Sequence, residues 1–207
     1  MPQRRFIPFA LLVGFLLTSE GLAAQACLGI PDASRAALLG SIQFPENATS
    51  FGVSGIVGTE NSDLYFGGGF GLTTFDYEGS ENLKSISGAA AFELGSVAAD
   101  VSLCPTVSVG YSWIEDFNTL SIPFGFGVGT TIPLGEGENT GLTPYAVPQF
   151  IYARASFLDE SDSDTYFGLQ AGATVNFDRF LLGGFVSKIF EEGTDAVFGI
   201  QGGLAWW

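Results

Sequence analysis

The sequence predicts an all-β protein, a closed antiparallel up-and-down transmembrane β-barrel of ten strands, with eight strands as the alternative. Three observations indicate this class: long segments alternate between apolar and small polar residues, no helical pattern separates them, and a secretory leader precedes them. Segment 165–177 shows the alternation best, with Phe167, Leu169, Ala171, Ala173 and Val175 on one face and Gly168, Gln170, Gly172, Thr174 and Asn176 on the other. Period two is the spacing of a β-strand with two unlike faces. Thirteen residues exceed the usual strand length of about five or six and suffice to cross a bilayer at a tilt, which takes about 9–11.

The N-terminus has the order of a secretory leader. Arg4 and Arg5 precede a short apolar run over 6–17, and Ala24-Gln25-Ala26 supplies the small residues of a cleavage site. No later run approaches the roughly 20 apolar residues that a spanning helix needs.

The leader sets the predicted domain boundaries. We expect residues 1–26 to be a signal peptide, 27–34 a periplasmic N-terminal segment and 35–207 the outer-membrane barrel domain. Lipidation of Cys27 is an alternative, but the sequence lacks the leucine and the small residue that a lipidation box has before its cysteine.

Composition excludes several functional classes. The 207-residue chain has a formal charge of −15, which disfavours nucleic-acid binding because no basic face is present to neutralise phosphates. It contains no histidine, so the usual serine or cysteine charge relay has no base. From this we expect neither an enzyme nor a cofactor.

Ten segments repeat the alternation, separated by turns rich in Gly, Pro, Asn and Asp: 36–44, 51–59, 64–76, 85–94, 101–114, 120–132, 145–157, 165–177, 180–190 and 196–207. An open sheet edge in hydrocarbon would leave N–H and C=O groups unpaired, so the strands should close into a barrel. Pro144 and Pro148 predict a bulge or an edge irregularity in the first half of the seventh segment.

The leader, the alternating Gly/aromatic strands and the terminal Ala205-Trp206-Trp207 resemble the small outer-membrane β-barrel proteins of diderm bacteria, over about residues 35–207. The resemblance implies a place in the cell outer membrane, with membrane lipid and the barrel-assembly machinery as partners. Members commonly end in an aromatic residue that this machinery reads. Gly202, Trp206 and Trp207 are the corresponding expected assembly signal.

With both chain ends on the periplasmic side, five loops face outward: 45–50, 77–84, 115–118, 158–164 and 191–195. They hold more than half of the 22 acidic residues, with Lys84 as their only base. The run 159–164 offers oxygen ligands of the kind that Ca²⁺ prefers. Such a run is more often a solvated, self-repelling loop, so no metal site is predicted.

Cys27 and Cys104 are the only cysteines. In an oxidising periplasm two cysteines predict a disulfide, and both lie at the predicted periplasmic end. We expect a structural bridge that tethers residues 27–34 to the barrel floor.

Six larger polar side chains are predicted to face the lumen: Glu93, Tyr152, Arg154, Tyr166, Gln170 and Gln201. Phe185 is a further bulky candidate. Most other inward positions are Gly, Ser or Thr, which leave room for water. Because carboxylates at the mouth would concentrate cations, the sequence predicts a narrow, cation-preferring passage.

The expected function is therefore a membrane barrel of structural or narrow-channel, porin-like type, with ions or small solutes as its cargo. The alternative is an adhesion or binding module that acts through the acidic loops. A secreted soluble β-sandwich is disfavoured, because its outward Phe, Val and Leu would form a large apolar patch in water.

Overall fold

The computed structural model describes residues 26–30, 36–59, 63–77, 80–94, 96–98, 101–135, 140–158 and 160–206. Ten long strands dominate this part of the chain: β1 Ala36–Phe44, β2 Ala48–Gly58, β3 Leu64–Phe75, β4 Leu83–Phe92, β5 Val101–Ile114, β6 Phe117–Thr130, β7 Thr140–Phe157, β8 Glu160–Phe177, β9 Phe180–Ile189 and β10 Val197–Trp206. The short segments Ser96–Ala98 and Ile132–Pro133 add to the sheet beside β5 and β7.

The strands form one closed antiparallel sheet. Each strand pairs with the next along the chain, and β1 also pairs with β10 from Ala36 opposite Trp206 to Phe44 opposite Phe198. Closure leaves both ends of the described barrel on the same side. The predicted ten-stranded barrel is confirmed, and the eight-stranded alternative is excluded.

The two faces of each strand differ as the alternation requires. Small or polar residues occupy most inward positions, with groups of larger apolar side chains among them, and most other large apolar side chains point outward into the lipid-facing belt. A row of outward phenylalanines crosses neighbouring strands, from Phe124 to Phe150, Phe167 and Phe190, with ring centroids 5.4–5.6 Å apart. Offset or tilted aromatic pairs at this distance stabilise one another.

Strands β7 and β8 are longer than predicted. Each has 18 residues, and the register between them runs unbroken from Thr140 opposite Phe177 to Phe157 opposite Glu160. No bulge forms at Pro144 or Pro148, but the predicted irregularity is present on the other edge of β7, where the ladder with β6 lacks the pairs of Val147 and Pro148. Most of the predicted loop 158–164 is strand, so this pair projects past the end of β9, while on its other side β6 stays paired with β7 up to Phe117 opposite Phe157.

A short 3₁₀ turn, Ala26–Leu28, lies inside the barrel against β5, β6 and β7. Ala26 and Cys27 are fully buried. A Cβ at Gly129 would stand 1.8 Å from the carbonyl oxygen of Ala26, so this turn fits only because β6 has a glycine there. The rest of the predicted signal peptide, residues 1–25, lies outside the described residues, as does Trp207.

Across the described ranges, no helix has the length and apolar character needed to span a membrane.

Candidate functional site: the barrel interior and its outer rim

A disulfide joins Cys27 of the N-terminal turn to Cys104 of β5, with the two Cα atoms 6.0 Å apart. Both cysteines are fully buried. The predicted bridge is confirmed, and it fixes the N-terminal turn inside the half of the barrel in which Ala36 and Trp206 lie.

An apolar cluster surrounds this disulfide and reaches across the lumen. Its members come from the N-terminal turn and from five strands: Cys27, Tyr65, Ala91, Cys104, Tyr145, Val147 and Phe185. Tyr145 and Phe185 lie over glycines, because a Cβ at Gly172 would stand 2.9 Å from the Tyr145 ring and one at Gly199 2.3 Å from the Phe185 ring. Glycine here makes space for aromatic rings, and Phe185 fills lumen volume rather than facing lipid.

A second apolar cluster fills the lumen around Ile30, which follows the N-terminal turn. Ile30 packs with Ala37, Leu39, Ile56, Leu181 and Ala205 on β1, β2, β9 and β10. Gly29, between the two clusters, has φ of +84°, a left-handed conformation that glycine adopts without steric cost. The N-terminal segment is thus part of the interior packing, which alternation in the strands could not reveal.

A third apolar cluster lies at the outer end of the lumen. Ile151 and Ala153 of β7 pack there with Tyr166, Ile189 and Val197 of β8, β9 and β10. The interior on this side of the barrel is therefore closed by apolar packing at both ends.

The interior beside β1 to β4 is polar instead. The Ser50 and Thr73 hydroxyls lie 2.6 Å apart in a hydrogen bond. Next to them is a cavity of about 10 Å³, lined in part by Gly69, Ser85 and Ser87. This volume holds about one water molecule.

Four of the six predicted lumen residues lie on the inner face. Tyr166 is buried in the outer cluster, and Gln170 follows it on the same face of β8. The Gln201 side-chain amide donates to the Thr174 hydroxyl at 3.2 Å. Glu93 accepts a 2.6 Å hydrogen bond from the Ser102 hydroxyl. That these residues line a passage for ions remains a prediction.

The predicted facing of Tyr152 and Arg154 is wrong. Ile151 and Ala153 are fully buried inside, which turns Tyr152 and Arg154 outward, and the Arg154 guanidinium donates to the Ser161 hydroxyl at 3.1 Å. Arg154 can face outward because this part of β7 lies at the outer rim, where the apolar belt has ended.

The outer rim is strongly acidic. The described carboxylates at this end are Glu46, Asp76, Glu81, Glu115, Asp116, Glu160, Asp162, Asp164, Glu191, Glu192 and Asp195, against the cations Lys84, Arg154 and Lys188. The charge and a hydrogen bond of Glu81 raise the pKa of Glu115. Burial and, next, the charge of Asp164 raise the pKa of Glu191. Within the described residues, no three potential ligands come together as a metal site.

The acidic run sits on the projecting end of β8. The backbone N–H of Ser163 donates to the Asp162 carboxylate at 2.9 Å, and that of Thr165 to the Asp164 carboxylate at 2.7 Å. These two carboxylates thus bond to the backbone of their own strand.

Comparisons with known proteins agree with the fold. No family profile and no curated protein matches the sequence. The translocator domain of the autotransporter NalP from Neisseria meningitidis superposes with a TM-score of 0.52 at 13% identity, covering 83% of this chain and 86% of that one. LpxR from Salmonella typhimurium gives a TM-score of 0.49 at 11% identity, covering 84% and 86%. The chain is an outer-membrane β-barrel, and its family is unresolved.

The expectation that the chain is not an enzyme is corrected, because it rested on the missing histidine alone. The absence of histidine excludes a histidine base only.

The expected assembly signal is partly within the described chain. Gly202 and Trp206 lie in β10, and Trp206 points outward at the C-terminal end of this strand, opposite Ala36. The part that Trp206 and Trp207 play in barrel assembly remains a prediction.

Proposed function

We propose that this chain is an outer-membrane barrel of the structural type whose lumen is closed in the oxidised protein by its own N-terminal segment. The observation that carries the proposal is the buried Cys27–Cys104 disulfide within an apolar cluster that reaches five strands. Ions cross a barrel through water, and buried apolar side chains offer no partners to an ion that loses its hydration shell.

The proposal modifies the expected narrow passage. The small polar residues beside β1 to β4 provide volume, but on β1 and β2 the cluster around Ile30 lies between them and the end of the barrel that holds Ala36. A conducting state therefore requires that the turn leaves the lumen. Should it leave, the excess of carboxylates at the outer rim favours cations over anions.

Single-channel recording on the refolded protein tests this proposal. Oxidised wild type should show no conductance steps. The Cys27→Ser/Cys104→Ser double variant, in which the turn is no longer tethered, should show brief, cation-selective openings. A steady conductance of the oxidised wild type would contradict the closed lumen, and anion preference of the double variant would contradict the charge argument.

The projecting ends of β7 and β8 favour a second candidate function, that of a binding module. Residues 160–165 are exposed and carry three carboxylates beyond the rim. A rigid paired segment of this kind presents a fixed surface at low entropic cost. Retention of cationic rather than anionic probe peptides by membrane-reconstituted protein would support this function.

A further inference from the structure

The projecting end of β8 has one strand edge without a neighbour. Strand β9 begins to pair with β8 at Gly168 opposite Ile189, and the last backbone bond beyond that point runs from Phe190 N–H to the carbonyl of Phe167. On the other edge, pairing with β7 continues to Glu160. In the described part of the chain no strand pairs with the β9-side edge of residues 160–165.

Alternation of backbone direction decides which groups this free edge presents. Since the Phe167 carbonyl points toward β9, the backbone groups of Ser161, Ser163 and Thr165 point the same way. These residues are exposed. The free edge therefore presents the carbonyls of Ser161, Ser163 and Thr165 to an approaching strand. They recur at every second residue, as the carbonyls on one edge of a β-strand do.

The N–H groups of this edge are covered by carboxylates. Asp162 accepts from Ser163 N–H and Asp164 accepts from Thr165 N–H. A strand that approaches must displace these carboxylates before its own carbonyls can accept those bonds. A neutral or acidic strand would leave the displaced carboxylates without a new partner, whereas a lysine or arginine would provide one.

We propose that the free edge of β8 at residues 160–165 is a docking site for an extended peptide segment that carries Lys or Arg at alternate positions and binds by strand addition. Backbone bonds to Ser161, Ser163 and Thr165 would supply affinity, as in other cases of strand addition. Asp162 and Asp164 would supply selectivity, because they discourage uncharged edges from pairing. The inference deepens the binding-module candidate and does not depend on whether the lumen conducts.

The test measures binding of three synthetic peptides to the full chain in lipid nanodiscs by fluorescence anisotropy. The first alternates Lys and Thr over ten residues, the second alternates Glu and Thr, and the third is the Lys–Thr peptide with N-methyl groups on the amides of one edge. The N-methyl peptide keeps the charge but cannot donate along that edge. We expect binding of the first peptide only, weakening as salt is raised.

Two variants locate the site. Ser163→Pro removes an N–H on the free edge while the bonds of β8 to β7 remain, and it should weaken binding by about ten-fold or more. The control Glu81→Gln/Glu115→Gln removes two rim charges elsewhere and should leave binding within about two-fold.

The possible results distinguish failure of the strand-addition site from failure of the binding-module function. Equal binding of the N-methyl peptide, or of the Ser163→Pro variant, would overturn strand addition but leave an acidic binding surface. Binding of no peptide would overturn both the site and the binding-module candidate. If the barrel self-associates and Ser163→Pro abolishes this association, the free edge binds a second copy of the chain. That result would overturn the proposal that its partner is a cationic peptide segment.

Discussion

Inner glycines of this barrel serve as contact surfaces as well as open space. At Gly129 the missing side chain accommodates the carbonyl of Ala26, and at Gly172 it accommodates the Tyr145 ring. Alternation alone assigns every inward glycine to empty lumen, because it contains no information on what crosses from other strands. The sequence predicts the polar character of the inner face, but it does not predict how far side chains and the N-terminal turn fill the lumen.

We predict that Gly129→Ala displaces the N-terminal turn. The new methyl group would lie 3.0 Å from the Cα of Cys27, which follows the predicted cleavage site, and overpacking of this kind costs about 1–3 kcal/mol. The midpoint of unfolding in denaturant, followed by mobility on a detergent gel, should fall. Gly55→Ala is the control, since nothing lies within 4 Å of a Cβ at that position. An unchanged midpoint for Gly129→Ala would argue against the buried position of the turn.

A second prediction at this scale concerns the Glu81–Glu115 pair. Because Glu81 is the largest cause of the raised pKa of Glu115, Glu81→Gln should lower that pKa toward its usual range. Asp116 is the smallest cause, so Asp116→Asn should lower it less. Carboxyl NMR titration would measure both, and the reverse order of effects would contradict the pairing.

The sign of the pH effect follows from the direction of this shift. A carboxyl with a raised pKa in the folded state binds its proton more tightly there than in the unfolded chain. The pair therefore destabilises the fold as pH rises from the usual pKa through the raised one, and Glu81→Gln should reduce this loss.

At the scale of elements, β7 and β8 show where sequence patterns stop being informative. Within the membrane, lipid outside and a polar lumen inside impose alternation, and β8 follows it from Tyr166 to Asn176. Beyond the rim both faces meet water, so residues 160–165 resemble a loop in composition although their backbone is paired. On β7 the outer cluster makes the inner face apolar, and for this reason the alternation wrongly places Tyr152 and Arg154 in the lumen.

The paired backbone of residues 160–165 predicts a pattern of hydrogen exchange. The amides of Asp162 and Asp164 point toward β7, whereas those of Ser163 and Thr165 lie on the free edge. We expect slower exchange at Asp162 and Asp164, by on the order of ten-fold or more. NMR in detergent micelles would measure the rates residue by residue. Uniformly fast exchange would show a loop in solution, as the composition suggested.

For the whole molecule, closure and the outward apolar belt act together. Backbone groups in hydrocarbon need partners, and pairing of β1 with β10 removes the last membrane-embedded edge. The outward side chains then face lipid: Val107 is 49% exposed near the middle of β5, and Trp113 is 36% exposed near its outer end. The natural cation Lys84 lies opposite Trp113, at the level where charge meets water.

This arrangement predicts a depth dependence for a charge placed on the outer face of β5. Val107→Arg should destabilise the folded barrel by about 2–4 kcal/mol, because the guanidinium would lie near the bilayer midplane. Trp113→Arg places the same charge on the same face near Lys84, where the cost falls to about 0–1 kcal/mol. Reversible unfolding of both variants in lipid vesicles, read from gel mobility, gives the two free energies. Equal costs at the two positions would mean that the outer face of β5 does not span the hydrocarbon, and the transmembrane placement of the barrel would have to be revised.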